Sequence, residues 1–571
     1  DGISTGKKDL SGWDLVWKAR DGHLFKTQLR GNPLRIGAML VIAAPIFILL
    51  ISITAYLFYR ARNNLGVAWA LDVIASILVF GLIIFLRFRL PTELVVKDWQ
   101  GFTGHAANIL RFQADYTSWP FAMMLMAVTL AFILTAPARL GQLSNPVIWT
   151  RTLVMVSFGL FAVFAQSPLA VVLAWAGLDV VEFVLLQSSL ESERLRSQVV
   201  LSFGIRVGGT IALVSAMVIS QASGLPLEFE SIQPNASLLV LLGIGLRLGI
   251  LPLNLPFTDE MVLRRGFGTV LRIIQASTCL VVLARLPEQL FPPVWTSILL
   301  SITFLAMIYA ASMWLVSSDE LKGRPFFMIV VGGFGITCVL LGHPAFVGIW
   351  TTALLISGGV LFLSSARGII WLVLIGMAMV GMTGLPYTPA APAWLGLIPA
   401  GFNLTAISSI IVLILLVLGY FKHALRKRDE VPASDPVART LYPLGLALLI
   451  VIQWGLGIFG GPGYWGVGVW WASVAVSFAC LVVGGVWFFW GKNGRVLQPN
   501  SWIVMVGGRV GLILSSILSL GWIFVVLKWF YALFSRFVQF LTEVLEGDGG
   551  VLWVLVLLAL LVTLIQGSVL P

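Results

Sequence analysis

Five ionisable residues lie inside apolar stretches of this chain: Asp179 and Glu182, then Arg206, Arg247 and Arg272. A spacing of three puts Asp179 and Glu182 on one face of a helix. Charges within a hydrocarbon layer are costly, so such residues pair with one another or face water. Two chemistries are open to the set. A carboxylate can take up and release a proton, so the five residues could form a carboxylate–arginine proton path. A guanidinium stays charged in proteins and cannot relay a proton by titrating. The set could therefore equally be a static ion-pair cluster that fixes helix packing. Only the two carboxylates can titrate, so the static reading is the stronger one. Asp72 is a further lone acid in an N-terminal apolar run, and its isolation suggests an interfacial or partner-facing position.

The elements that carry these residues are interrupted helices. Leu246-Arg247-Leu248-Gly249-Ile250-Leu251-Pro252 sets a cation and a proline in the middle of an apolar run, and Pro256 follows. A second interrupted run, Thr383 to Pro389, contains Pro386 and Pro389. Proline removes a backbone donor and clashes with the preceding turn, so both runs are expected to unwind, near Leu251–Pro256 and near Gly384–Pro389. Paired discontinuous helices in two halves of a chain are a sign of inverted-repeat transport proteins.

The whole composition agrees with a membrane setting. Of 571 residues, 59% are hydrophobic and 11% charged. Apolar stretches long enough to cross a bilayer, about 20 residues each, recur about 15–17 times from Leu34 almost to the end. The expected fold is all-α and polytopic, since the runs lack the alternation of a transmembrane barrel. Cys279, Cys338 and Cys480 lie inside apolar runs without ligand spacing and read as small hydrophobes. His23, His105, His343 and His423 form no cluster, so neither a metal nor a cofactor is expected. No dinucleotide fingerprint, P-loop or nucleophile elbow occurs. The net charge of +11 sits mainly beside spans, which points to membrane orientation and away from nucleic acid.

Eight loops that follow odd-numbered spans carry Lys and Arg, among them Arg60/Arg62, Arg194/Arg196, Arg264/Arg265 and Lys422/Arg426. The positive-inside bias places them in the cytoplasm and the N-terminus outside. The basic arm 1–33 and Arg87/Arg89/Lys97 disagree with that assignment. The expected organisation is the arm 1–33, N-terminal spans 34–146, two repeats at 147–288 and 289–426, a linker 427–438, and C-terminal spans over 439–571. Within the last part, Lys528–Glu546 reads as an amphipathic stretch before a final anchor.

Several local stretches, in order, resemble the antiporter-like subunits of respiratory complex I, Mrp-type cation/proton antiporters and membrane-bound hydrogenases. They are Phe112 to Ser118, Ser167-Pro168-Leu169 with Val171 to Trp175, Leu241 to Glu260, Leu315 to Lys322 and Gly381 to Thr388. The resemblance covers about residues 110–420. It implies two inverted repeats of five helices, each with one broken helix forming half of a proton path. It also makes Asp319 and Lys322 part of a cytoplasmic loop, and it implies other integral membrane subunits as partners.

The chain departs from the residues that the resemblance requires. Ala176 stands where the family has a membrane-embedded Glu, and Arg247 where it has a Lys. The next Lys position falls near Gln275 to Ser277, and the eleventh-span His and Lys fall near Leu354 and Gly358. No Asp, Glu, His, Lys or Arg lies between Gly381 and Ala400. The expectation is an antiporter-like subunit of a multisubunit ion-translocating or respiratory complex in a bacterial inner membrane. Its role is expected to be structural or coupling: at most a non-catalytic membrane subunit of an oxidoreductase or antiporter complex. One alternative is an active proton or Na⁺ translocator using a rerouted carboxylate path. Another is an unrelated polytopic lipid-handling enzyme or transporter.

Overall fold

The computed structural model describes residues 32–491, except 63, 100–107, 140–146, 191, 225–227, 255–262, 264, 289, 366–368, 399–400 and 427–435. It also describes 16–20, 23–27 and scattered positions beyond 491. The expected linker core, Pro256, and most of the spans and amphipathic stretch beyond 491 lie outside the described residues.

The chain opens with a hairpin of β1 (Val16–Arg20) and β2 (His23–Thr27), followed by α1 (Asn32–Arg62) and α2 (Leu65–Leu86). A second hairpin pairs β3 (Thr92–Trp99) with β4 (Asn108–Ala114). Then come α3 (Ser118–Thr135), α4 (Val147–Phe164), α5 (Pro168–Ser189), α6 (Glu193–Ala222), α7 (Pro234–Leu248) and α8 (Arg265–Ala284). The series continues with α9 (Pro293–Val316), α10 (Glu320–Leu340), α11 (Val347–Leu363), α12 (Ile369–Thr383), the single turn α13 (Trp394–Leu397) and α14 (Leu404–Ala424). It closes with α15 (Pro436–Phe459) and α16 (Trp470–Gly491).

Contacts divide the chain into two units, residues 1–251 with 255–497, and residues 252–254 with 498–571. The helices listed above belong to the first unit. In the second, Trp529, Ser535, Arg536 and Gln539 are helical.

Among the described residues, eleven helices are long and apolar enough to cross a membrane, and four shorter apolar helices accompany them. This is a polytopic α-helical membrane protein. Two short hairpins accompany the helices of this all-α membrane fold, and both lie outside the apolar runs. Phe112 of β4 also bridges to Ala165, and Gln166 N–H donates to Arg111 O at 2.9 Å, which ties the hairpin to the α4–α5 connection.

Helices α3, α8, α10 and α11 form the core and are buried nearly all round. α3 and α11 are apolar on every face, as interior helices commonly are, whereas α8 and α10 also bury Arg272 and Arg324. Helices α1, α2, α5, α6 and α9 turn one face inward and expose Leu50, Ile74, Val180, Ile211 and Leu305 on the other. The inward stripe of α2 is Ala68, Asp72, Ala75, Ser76, Val79, Ile83 and Leu86. Asp72 is therefore buried within the chain. This corrects the interfacial reading: its helical phase, which isolation in sequence does not show, puts it on the packed face.

Two helices end beside these proline-bearing runs. α7 ends at Leu248, earlier than proline alone predicts. Gly249 takes a left-handed φ of +77°, and Ile250 N–H donates to Gly245 O at 2.9 Å while Gly249 N–H reaches Leu246 O at 3.3 Å. That is the glycine-terminated end of a helix, and it acts before Pro252 is reached. α12 ends at Thr383 with Gly384 at φ +73°. The chain then turns through Pro386 and Pro389, with Ala390 N–H returning to Gly381 O at 3.2 Å. Side-chain caps set other boundaries. Asp319 Oδ1 accepts from Leu321 N–H at 2.8 Å, and Asn403 Oδ1 from Ala406 N–H at 2.8 Å. The cap at Asp319 puts Lys322 in the first turn of α10, exposed, so the loop implied by the resemblance ends at Asp319.

Candidate functional site: a buried ion-pair cluster

α5 begins with Ser167 as N-cap and Pro168 at its first position, where the missing N–H costs nothing. Three turns further in, Asp179 and Glu182 point into the protein, 3% and 1% exposed. α6 brings Arg206, and the last turn of α7 brings Arg247. α6 and α7 cross at Gly209 and Gly243. A Cβ on either glycine would lie 2.6 Å from the other's carbonyl oxygen, so only glycine permits this approach.

The result is a contiguous network. Arg247 Nη1 and Nη2 donate to the two oxygens of Asp179 at 2.6 and 2.8 Å. Arg247 Nη1 also reaches Thr210 Oγ1 at 3.0 Å and Arg206 O at 3.3 Å. Its guanidinium stacks 4.3 Å from the centre of the Trp175 ring. Arg206 forms a second two-pronged pair with Glu182 and donates to Ser202 Oγ at 3.0 Å. Its Nη1 lies 3.8 Å from Asp179. Gln275 Nε2 donates to Glu182 Oε2 at 2.5 Å, and Arg272 Nη1 donates to Gln275 Oε1 at 3.0 Å. The five residues singled out in the sequence thus fall into one chain of polar contacts. Gln275 is the link that sequence reasoning did not use.

The arrangement has a clear chemical bias. Each carboxylate is gripped by a planar guanidinium through two bonds, the strongest neutralising geometry a protein offers. A third guanidinium, Arg272, meets the neutral amide of Gln275. No lysine or histidine enters the network among the described residues.

The other half of the core is aromatic where the resemblance would place titratable groups. Leu354 is buried, and a Cβ on Gly358 would meet the rings of Phe327 and Phe362. Trp314, Phe327 and Phe362 pack edge to face with centroids 5.4–5.9 Å apart. Phe334 stacks on Trp350 at 4.9 Å, and Trp350 meets Trp394 at 5.4 Å.

Sequence reasoning missed a second charged cluster, at the end that the loop charges assign to the cytoplasm. Glu320, at the start of α10, accepts from Arg265 at 2.7 Å and from Arg426 at 3.1 Å. Arg426 also pairs with Asp319. Arg324 is fully buried and donates to Arg265 O and Thr269 Oγ1. Lys422 Nζ caps α9, reaching Leu315 O at 2.7 Å and Ser317 O at 3.0 Å. These residues read as ordinary loop charges in sequence. Their only signal was the acidic pair Asp319-Glu320 before a helical run.

Burial works to raise the pKa of Asp319, but the Leu321 N–H and Arg426 together hold it below the ordinary carboxylate value. A depressed folded-state pKa contributes stability that is present above the unfolded value and lost as pH falls through the folded one. The tie between α10 and α14 is therefore expected to hold at neutral pH and weaken only in acid, below the ordinary value of 3.8. Asp319→Asn should lower the melting temperature at pH 7 and flatten its decline on acidification. Melting curves from pH 7 to pH 3 check this; an unchanged profile would contradict it.

No protein-family model and no curated protein matches this chain. Solved structures do. A chain of the Mrp complex from Dietzia sp. DQ12-45-1b superposes with a TM-score of 0.70 at 17% identity, covering 93% of this chain and 63% of that one. A chain of the membrane-bound sulfane sulfur reductase, an archaeal respiratory membrane complex, gives 0.56 at 15% identity, covering 92% of this chain and all of that one. A chain of respiratory complex I from Thermus thermophilus gives 0.55 at 14% identity, covering 74% and 100%. The chain has the fold of these complexes' membrane chains, as the local resemblances implied. It spans less than two thirds of the Mrp chain.

Proposed function

We propose that this chain is an antiporter-like integral subunit of a multisubunit ion-translocating or respiratory membrane complex, with a structural or coupling role. The shared fold supports the general kind. The single observation that carries the role is the saturation of both buried carboxylates by Arg206 and Arg247. In this reading α4–α8 and α9–α14 are the two inverted five-helix repeats, with α7 as the broken helix of the first and α12 with the turn α13 as that of the second. Asp179, Glu182, Arg206, Arg247 and Arg272 lock the first repeat together. The N-terminus lies outside a bacterial inner membrane.

One observation favours active translocation instead. A cavity of about 240 Å³ between α5 and α6, lined in part by Ala176, Val180, Thr210 and Ile211, reaches Asp179 from the outer face of these helices. In that reading the gap would have to hold water beside Asp179.

The partner expectation is tested by purification from native membranes in mild detergent. Other membrane polypeptides should accompany the chain in fixed ratio. A chain that purifies alone and retains its native packing would sink the proposal.

A further inference from the structure

The second break holds two buried polar atoms without a hydrogen-bond partner among the described residues, the indole N–H of Trp394 and the amide oxygen of Gln453. Both residues are buried, Trp394 fully. The amide orientation follows from its surroundings. Gln453 Nε2 faces three acceptors, Ala353 O at 3.1 Å, Ser357 Oγ at 2.8 Å and Ala378 O at 3.3 Å. Turning the amide over would set its oxygen against the carbonyls, so Oε1 is the atom left over.

Both atoms lie beside the end of α12. A Cβ on Gly381 would come 3.1 Å from Gln453 Oε1, and a Cβ on Gly384 would run into Trp394 Nε1. Gly381 lies in the last turn of α12 and Gly384 directly follows the helix, so the two contacts fall within one turn of the chain. The two glycines therefore clear a notch with a lone donor at one end and a lone acceptor at the other. A cation would be repelled by the indole N–H, and an anion by the amide oxygen. The occupant must be small, neutral, and able both to accept and to donate.

We propose that this notch is a hydration site, in which one water accepts from Trp394 Nε1–H and donates to Gln453 Oε1. Buried waters serve such otherwise unsatisfied groups. The bridge ties the break between α12 and α13 to α15 without introducing a charge. It stands whether or not the chain belongs to a translocating complex.

A high-resolution cryo-EM map of the full chain, purified with the subunits that accompany it, tests this directly. Density for one ordered water should lie within hydrogen-bond reach of both atoms and vanish in Trp394→Phe. A double-mutant cycle gives a second readout. Trp394→Phe should lower the melting temperature of the wild type by more than it does in a Gln453→Met background, where the bridge is already gone and only the lost ring packing against Trp350 remains. A dry notch in a map that shows other buried waters, a direct Trp394–Gln453 bond, or additive losses would overturn the proposal.

Discussion

Arg247→Ala is expected to cost about 3–5 kcal/mol, the typical penalty for removing one partner of a buried ion pair. The substitution leaves the Asp179 carboxylate buried with only the more distant Arg206, 3.8 Å away, as a cation. It also strips the Trp175 ring of its stacked guanidinium. The double variant Asp179→Asn/Arg247→Met removes both charges and should be far milder, since no uncompensated ion remains. Arg247→Lys falls between the two. An ammonium cannot reproduce the two-pronged grip on Asp179. Arg247→Lys should therefore lower assembly without introducing pH-dependent transport. Melting temperature and the yield of assembled protein order the three variants. An Arg247→Ala variant as stable as wild type would show that the cluster does not hold the helices.

The second large effect is steric. Gly209→Val is expected to cost about 1–3 kcal/mol or more, the range for overpacking a well-filled site. The new side chain would press on the Gly243 carbonyl and on the Arg247 stem, where even a Cβ would lie 2.6 and 2.9 Å away. Helices α6 and α7 would have to separate, and Arg247 would be drawn from Asp179. Gly209→Ala should show the same defect in smaller measure. A Gly209→Val variant with an unchanged melting temperature would mean that the crossing is looser than the geometry describes.

What the sequence disclosed follows from contrast. Asp179, Glu182, Arg206 and Arg247 stood out because charges are rare in apolar runs, and their cost in a membrane forces pairing. That Arg206 takes Glu182 while Arg247 takes Asp179 was not legible, because it depends on how closely α6 approaches α7. Gln275 was legible only as a departure from a lysine position; its bridging role needs the rotamers of both Glu182 and Arg272. The breaks were visible through Pro252 and Pro386. Their starting points were set by Gly249 and Gly384, whose left-handed conformations end the helices first. The cluster of Arg265, Glu320, Arg324 and Arg426 was hidden because charges at helix ends are the usual state of a membrane protein. Nothing local in the sequence says that Arg324 is enclosed. Asp72 was misplaced for want of phase: its position on the inward stripe appears only when α2 is packed.

In the proposed role this cluster is a fixed strut and carries no protons. The most direct test uses Glu182→Gln/Arg206→Met, which removes a titratable carboxylate together with its cation. The variant is reconstituted in proteoliposomes with its accompanying subunits, and proton uptake is measured beside the wild type after intact assembly is verified. Uptake per assembled complex is expected to equal that of the wild type. Abolished uptake in a fully assembled variant would contradict that role and make Glu182 part of a rerouted proton path.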